Sequence, residues 1–150
     1  MEKVSHKVWS KHRSSNKVKL LIDALDPTKG WAKDMEYIAW IDADAIILDL
    51  SMNIETIMHK QYPDADFIAS ADIRQGYINS GFLLLRNTVW TRTFLRRWWE
   101  VVDRTTICDQ DAFDAIYTHY SREEKTSQRS LSSILSKKVV ILRRDALNTD

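Results

Sequence analysis

The clearest periodic pattern in the chain lies between residues 89 and 103, where large apolar side chains recur at every fourth position. The repeating residues are Trp90, Phe94, Trp98 and Val102. A repeat close to 3.6 residues predicts an amphipathic helix with one face packed against a core. Similar spacing predicts helices over residues 4–25 and 109–120. We expect Trp98 to belong to the core rather than to a surface that stacks on sugars.

Four apolar runs predict strands, at residues 37–41, 66–70, 78–85 and 139–142. The first run is apolar without alternation, which is typical of a strand covered on both faces in an α/β sheet. Ser51 and Glu55 predict the start of a short helix that ends near residue 59. Strands and helices alternate without a repeat or a linker, so the pattern predicts a single α/β domain over residues 1–150.

The amino-acid composition limits the classes of partner that are expected for this chain. The chain has 22 Lys and Arg residues against 21 Asp and Glu residues, a net charge of +1. A dedicated nucleic-acid binder needs a surplus of basic side chains for phosphate contacts, so we expect no nucleic-acid partner. Three aspartates, Asp42, Asp44 and Asp49, interrupt the most apolar stretch. A membrane span needs about 20 apolar residues in a row, so we expect none in this chain.

Glycine and cysteine usage excludes several kinds of site. The chain has only three glycines, Gly30, Gly76 and Gly81, and they form neither a Walker loop nor a G-x-G-x-x-G turn, two Gly-rich loops with which many proteins bind phosphate. A single cysteine, Cys108, excludes a disulfide framework and a Cys-based zinc site. We expect a buried, inert thiol there. The histidines lack paired metal-ligand spacing, and we expect them at the surface. They are His6, His12, His59 and His119.

The sharpest chemical feature is an acidic pair, Asp42 and Asp44, directly after the strand predicted at 37–41. Residues two apart on an extended chain point to the same side, so the two carboxylates are expected to converge. Such a pair is costly unless a cation neutralises it, and oxygen ligands suit Mn²⁺ or Mg²⁺ with substrate phosphate. Two solvated acids that mark the end of a strand are the alternative reading.

Two further segments combine polar groups with small residues. Asn79, Ser80 and Gly81 open a predicted strand, where small side chains let a ligand approach the backbone. A simple bulge at Gly81 explains that segment equally well. Residues 109–111, Asp-Gln-Asp, begin a predicted helix, where acids commonly cap free amides. Gln110 stands out because its amide offers both a donor and an acceptor to a polar substrate.

Taken in order, these segments resemble glycosyltransferases of the GT-A fold, and most closely family 34 and the related nucleotide-diphospho-sugar transferase domains. The matching segments are residues 9–11, 37–45, 79–87, 90, 98–99, 109–113 and 139–148. The resemblance implies a Rossmann-like mixed sheet with flanking helices. It also implies transfer of a sugar from a nucleotide-diphosphate donor, a UDP-sugar in the first instance, to a hydroxyl of a glycan or protein acceptor.

The resemblance assigns a role to individual residues. Asp44 would bind the metal, Mn²⁺ or Mg²⁺, directly, and Asp42 would hold the ribose and the surroundings of the metal. Asp109 and Gln110 would be catalytic and face the anomeric centre of the donor sugar. The residues implied to bind the donor are Lys11, Asp42, Asn79, Ser80 and Gly81. Such enzymes retain the anomeric configuration, and the implied location is the Golgi lumen.

The chain departs from the family pattern in two places, and both concern whether the domain is complete. No strand for a nucleobase pocket precedes Trp9, and no histidine follows the segment 139–148 as a third metal ligand. We therefore expect a domain that is partial at both ends.

Two other functions remain open. A haloacid-dehalogenase-type phosphatase would use Asp42 as its nucleophile, with Asp109 and Asp111 as a later acidic pair, although the Gly-Thr that usually follows is absent. A non-catalytic remnant that binds a nucleotide-sugar is the other alternative.

Overall fold

The computed structural model of the chain describes residues 13–46, 51, 53–73, 77–105, 107–123 and 137–143. These residues form a mixed α/β protein with a four-stranded mixed sheet and flanking helices. The helices are α1 (Asn16–Ala24), α2 (Val89–Arg104) and α3 (Asp109–Glu123), and a π-helical segment covers Thr56–Gln61. The strands are β1 (Tyr37–Ile41), β2 (Phe67–Ala71), β3 (Ile78–Arg86) and β4 (Val139–Leu142).

The strands lie in the order β1-β3-β2-β4. Strand β3 is antiparallel to both β1 and β2, whereas β4 is parallel to β2. Strands β1, β2 and β4 therefore run in the same direction. Their last residues, Ile41, Ala71 and Leu142, lie at the same end of the sheet as the first residue of β3, Ile78. We call this end the carboxyl edge.

Strand β3 is irregular near the carboxyl edge. On its β2 side, Ala69 is paired with Leu83 but the next residue, Ser70, is paired with Asn79. The residues between these two partners on β3 therefore bulge away from β2. On the β1 side the Asp42 amide donates to the Gly81 carbonyl oxygen at 2.8 Å. The bulge considered at Gly81 is present, and it presents this segment to the end of β1.

Aromatic packing between the sheet and helices α2 and α3 forms the centre of the core. The Phe67 ring stacks on the Phe113 ring at 5.2 Å between centroids, and Trp98 lies 5.0 Å from Phe113. Trp98 is fully buried, which confirms the prediction that it belongs to the core. Large aromatic side chains bury the most apolar area per residue, so this cluster fixes α2 and α3 on one face of the sheet.

Strand β1 differs from its prediction. It spans the predicted residues, but Ala39 and Ile41 are exposed and the other three side chains are only half-buried. Within the part of the chain that the structure describes, β1 pairs with β3 alone. An apolar run has the same composition in a half-covered strand as in a fully covered one, so the prediction of burial on both faces was wrong.

Helix boundaries also differ from the predictions. Helix α1 begins at Asn16, after a 3-10 turn at Arg13–Ser15, and residues 4–12 of the predicted helix lie outside the described residues. The short helical segment is capped by Asn53, because its Oδ1 atom accepts from the Thr56 amide at 3.1 Å. No helix among the described residues has the length and apolar character to cross a membrane.

Candidate active site at the carboxyl edge

A buried lysine stands at the centre of the carboxyl edge. The Nζ atom of Lys17 lies 3.0 Å from each carboxylate oxygen of Asp42 and 3.1 Å from Oδ2 of Asp109. It also donates to the Ser80 carbonyl oxygen at 3.0 Å. Its side chain is only 4% exposed. One positive charge therefore faces two negative charges, which come from the end of β1 and the start of α3.

Lys17 is not among the site residues predicted from the sequence, although its helix position carried a signal. Residues 17, 21 and 24 share one face of α1, and Leu21 and Ala24 are buried there. Lys17 therefore continues the buried stripe toward the N-terminus of the helix. A lysine at such a position needs a partner, because a buried ammonium without one is strongly unfavourable.

Asp42 is held by several donors. Its Oδ1 atom accepts from the indole Nε1 of Trp40 at 2.6 Å, in addition to the bonds from Lys17. Its side chain is 34% exposed and lines a pocket. Since a carboxylate has about four lone-pair sites, these donors leave acceptor capacity toward the pocket.

Asp44 reaches the same pocket by a turn rather than by an extended strand. Strand β1 ends at Ile41, and the Ala45 amide donates to the Asp42 carbonyl oxygen at 3.0 Å. Asp44 is exposed, and it lines the pocket together with Asp42. The predicted acidic pair therefore shares one pocket, although the alternation of an extended chain is not the reason.

Asp109 does more than begin a helix. It is 3% exposed, and its Oδ2 atom accepts from the Ser80 hydroxyl at 2.6 Å. Burial alone would raise the pKa of Asp109. The Ser80 hydroxyl, the Lys17 charge and a bond from Ser14 outweigh burial and lower the pKa below its usual value. The Asp109 carboxylate is therefore ionised inside the protein.

The bulge of β3 contains an internal turn. The Oδ1 atom of Asn79 accepts from the Gly81 amide at 2.7 Å. A Cβ atom at Gly81 would lie 2.9 Å from that Oδ1 atom and 3.4 Å from Oδ2 of Asp42. A larger residue at position 81 would therefore displace the Asn79 side chain from its bond to the residue 81 amide.

Gln110 and Asp72 form a second polar contact at this edge. The Nε2 atom of Gln110 donates to Oδ2 of Asp72 at 2.6 Å. Asp72 is not among the site residues predicted from the sequence, yet it follows β2 just as Asp42 follows β1. An acid directly after an apolar run was thus the available signal in both strands.

The pocket between the start of α1 and the end of β1 has a volume of about 500 Å³. Its polar lining comes from Arg13, Ser14, Asn16, Lys17, Asp42 and Asp44. The first turn of α1 carries no acidic residue, and the exposed Arg13 places a positive charge at the pocket wall, which favours an anion. Lys11, which the resemblance placed near the donor, lies outside the described residues, and its role stays a prediction.

The donor set can be tested against the metal that the resemblance implies. Among the described residues, no group of three or more His, Cys, Asp or Glu side chains could hold a metal ion. A complete protein cage is therefore not formed by this part of the chain. Mg²⁺ and Mn²⁺, however, are commonly bound by one or two carboxylates together with water and substrate phosphates. Asp44, with the spare lone pairs of Asp42, fits that type of site.

Other candidate groups have ordinary surroundings. Cys108 is half-buried rather than fully buried, and burial raises the pKa of its thiol, which favours an inert form. His59 is at the surface as predicted, where its Nε2 atom lies 2.8 Å from the Tyr37 hydroxyl. His6, His12, Gly76 and the side chain of His119 lie outside the described part of the chain.

Comparison with known proteins does not identify the function of this site. The sequence matches no known family model, and a comparison with curated proteins finds no match. The class that the fold defines is a mixed α/β protein with a pocket between the start of α1 and the carboxyl end of β1. Ligands of open α/β sheets commonly bind at such ends.

Proposed function

We propose that this protein is a metal-dependent glycosyltransferase that uses a nucleotide-diphosphate sugar, in the first instance a UDP-sugar, as its donor. The acceptor is a hydroxyl group of a glycan or a protein. The observation that carries the proposal is the arrangement at the carboxyl edge, where two pocket carboxylates, Asp42 and Asp44, lie beside a buried Lys17. The amides of Asn79 and Gln110 belong to the same edge.

The start of α1 supplies a cationic group that suits the diphosphate of the donor. Arg13 is exposed and lines the pocket. A guanidinium group is an effective phosphate ligand. The diphosphate would therefore lie between Arg13 and Asp44.

Asp44 and Asp42 would hold Mn²⁺ or Mg²⁺ against the diphosphate. When bound, the ion supplies the positive charge that makes the nucleoside diphosphate a better leaving group. Asp44 is free to contact the ion directly, because it is exposed on the pocket wall. Asp42 is already fixed by Lys17 and Trp40, so its orientation does not depend on the ion.

Lys17 and Asp109 have a positioning role in this proposal. Asp109 is buried and bound to Lys17 and Ser80, so its carboxylate acts on the pocket through these two residues. Lys17 in turn holds Asp42 at the pocket wall. Gln110 is half-buried and is the member of the Asp109–Gln110 pair that is more accessible to a sugar. Retention of configuration and a Golgi location stay predictions of the resemblance.

Calorimetry with UDP and Mn²⁺ tests the donor site. We expect binding that requires Mn²⁺ and that weakens about tenfold or more in Asp44→Asn, since one metal ligand is lost. Asp64→Asn is the matched control, because Asp64 is an exposed aspartate near the opposite end of the sheet. Binding that ignores Mn²⁺, or that is unchanged in Asp44→Asn, would contradict the proposal.

Turnover separates the three functions considered. Release of free sugar from a UDP-sugar, or transfer to an added acceptor, supports the transferase. UDP binding with Mn²⁺ but no turnover favours the non-catalytic remnant. A stable aspartyl-phosphate on Asp42, formed from a small phosphate donor, would establish the phosphatase instead.

A further inference from the structure

The contact between Asp72 and Gln110 joins two rigid parts of the molecule. Asp72 directly follows β2, and its backbone amide donates to the Tyr77 carbonyl oxygen at 2.8 Å, which closes the connection to β3. Gln110 is the second residue of α3. The preceding residue is fixed as well, because the indole Nε1 of Trp98 donates to the Asp109 carbonyl oxygen at 2.8 Å.

The chemistry of the contact fixes the orientation of the amide. An ionised carboxylate can only accept hydrogen bonds, so the end of the Gln110 amide that faces Asp72 must be its NH₂ group. The Nε2 and Oδ2 atoms lie 2.6 Å apart, within hydrogen-bond distance. The opposite end of the planar amide, the Oε1 atom, then points away from Asp72.

We propose that Asp72 is a positioning residue that makes Gln110 present its carbonyl oxygen, and not its NH₂ group, to the ligand at the carboxyl edge. The ligand group at that point must be a hydrogen-bond donor, and in a nucleotide-sugar it is a hydroxyl of the sugar. This assignment of the sugar rests on the proposed function. Without Asp72 the amide can turn over and offer a donor or an acceptor, which removes the preference.

The second amide at this edge has the opposite orientation. A backbone N–H can only donate, so Asn79 turns its Oδ1 atom toward the Gly81 amide, at 2.7 Å, and its NH₂ group the other way. The carboxyl edge thus carries one amide held as an acceptor and one held as a donor. This is the pair of groups that recognises sugar hydroxyls, which both donate and accept.

NMR of the Gln110 side-chain amide in the full chain tests the positioning itself. We expect its NH₂ protons to exchange slowly in the wild type and about tenfold faster in Asp72→Ala, because the acceptor is lost. Asp72→Asn should keep most of the protection, since its own amide oxygen can replace the carboxylate as acceptor. Equal exchange in the wild type and Asp72→Ala would overturn the inference whatever the function of the protein.

Affinity for UDP-glucose or UDP-galactose, compared with UDP alone and always with Mn²⁺, tests the consequence for the ligand. Asp72→Ala should weaken binding of the nucleotide-sugar about tenfold and leave binding of UDP unchanged, because only the sugar reaches Gln110. The double variant Asp72→Ala, Gln110→Ala should bind no more weakly than Gln110→Ala alone. Asp72→Asn should restore most of the affinity, and Asp64→Ala is the control that should bind like the wild type.

The outcomes separate the two proposals. An equal loss of UDP and UDP-sugar binding in Asp72→Ala would mean that the contact only joins β2 to α3, and it would overturn the inference. Failure of the wild type to bind UDP, with the amide protection as expected, would overturn the proposed function and leave the orientation of Gln110 established.

Discussion

Two buried aspartates at opposite ends of the sheet have nearly the same kinds of partner. Asp109, at the carboxyl edge, is 3% exposed, and Asp66, just before β2, is 2% exposed. Each carboxylate accepts from a hydroxyl group and faces a lysine, and Asp109 has a further bond from Ser14. The partners are Ser80 at 2.6 Å and Lys17 at 3.1 Å for Asp109, and Thr88 at 2.9 Å and Lys138 at 3.3 Å for Asp66.

The two groups differ in what else they contact. Thr88 is the N-cap of α2 and accepts from the Thr91 amide, and the Asp66 backbone bonds to both Lys138 and Arg86. Every bond around Asp66 therefore connects structural elements, and its lysine side chain is 34% exposed. The same set of groups at the carboxyl edge is buried and shared with a second carboxylate that lines a pocket. A buried aspartate alone therefore does not identify a functional site. What distinguishes the carboxyl edge from the group around Asp66 is a lysine shared by two carboxylates, one of which lines a pocket.

The largest expected difference in stability between the two groups comes from replacing their lysines. Lys17→Met leaves buried Asp109 and half-buried Asp42 without their cation, and we expect a loss of about 3–5 kcal/mol in the free energy of unfolding. Lys138→Met should cost at most about 1 kcal/mol, because that lysine is partly solvated. Urea unfolding measures both. Equal losses would show that the two groups are equivalent.

A smaller difference in stability is expected when the hydroxyl groups of Ser80 and Thr88 are removed. Ser80→Ala takes a donor from a buried charge, and we expect a loss of about 2 kcal/mol. Thr88→Ala removes a helix N-cap together with the bond to Asp66, for which we expect about 1 kcal/mol. Thermal unfolding of both variants gives the order. A smaller loss for Ser80→Ala than for Thr88→Ala would contradict the view that Asp109 depends on Ser80 for its charge.

The lowered pKa of Asp109 should make the stability of the protein depend on pH. Its pKa in the folded state lies below the usual value of 3.8, despite the opposing effect of burial. A carboxyl group with a lowered folded pKa contributes stability that is fully present above its unfolded pKa and is lost as the pH falls through its folded pKa. Carbon NMR of the labelled carboxyl group should show the low titration, and Ser80→Ala should raise it. A titration at or above 3.8 in the wild type would contradict a lowered pKa for Asp109.

The smallest expected effect concerns an aspartate in a surface turn, outside both groups. Asp26, in the turn after α1, has a pKa of about 2, chiefly because the Thr28 hydroxyl and amide donate to its Oδ1 atom. Thr28→Ala should raise the pKa toward 3.8, with little change in overall stability, since Thr28 itself is exposed and a solvated turn contributes little. The same NMR titration checks this. An unchanged Asp26 pKa would show that the hydroxyl is not the dominant cause.

Most of the local structure could be predicted from the sequence alone. Strands β1 and β4 have the predicted bounds, and α2 ends within one residue of its prediction, because apolar periodicity and turn residues act over a few positions. The acidic pair Asp42 and Asp44 was also visible, since both acids follow an apolar run. What the pattern could not tell was that β1 is only half covered.

Which polar groups contact one another depends on the three-dimensional fold. Lys17 lies 25 positions from Asp42 and 63 from Ser80, and Gln110 lies 38 positions from Asp72. No local pattern records such pairs, because they depend on strand order, on the bulge of β3 and on the way α1 and α3 pack at one end of the sheet. Hydrophobic spacing specifies which residues are buried, whereas the partner of a buried charge is set by chain topology and by the cost of leaving that charge unpaired.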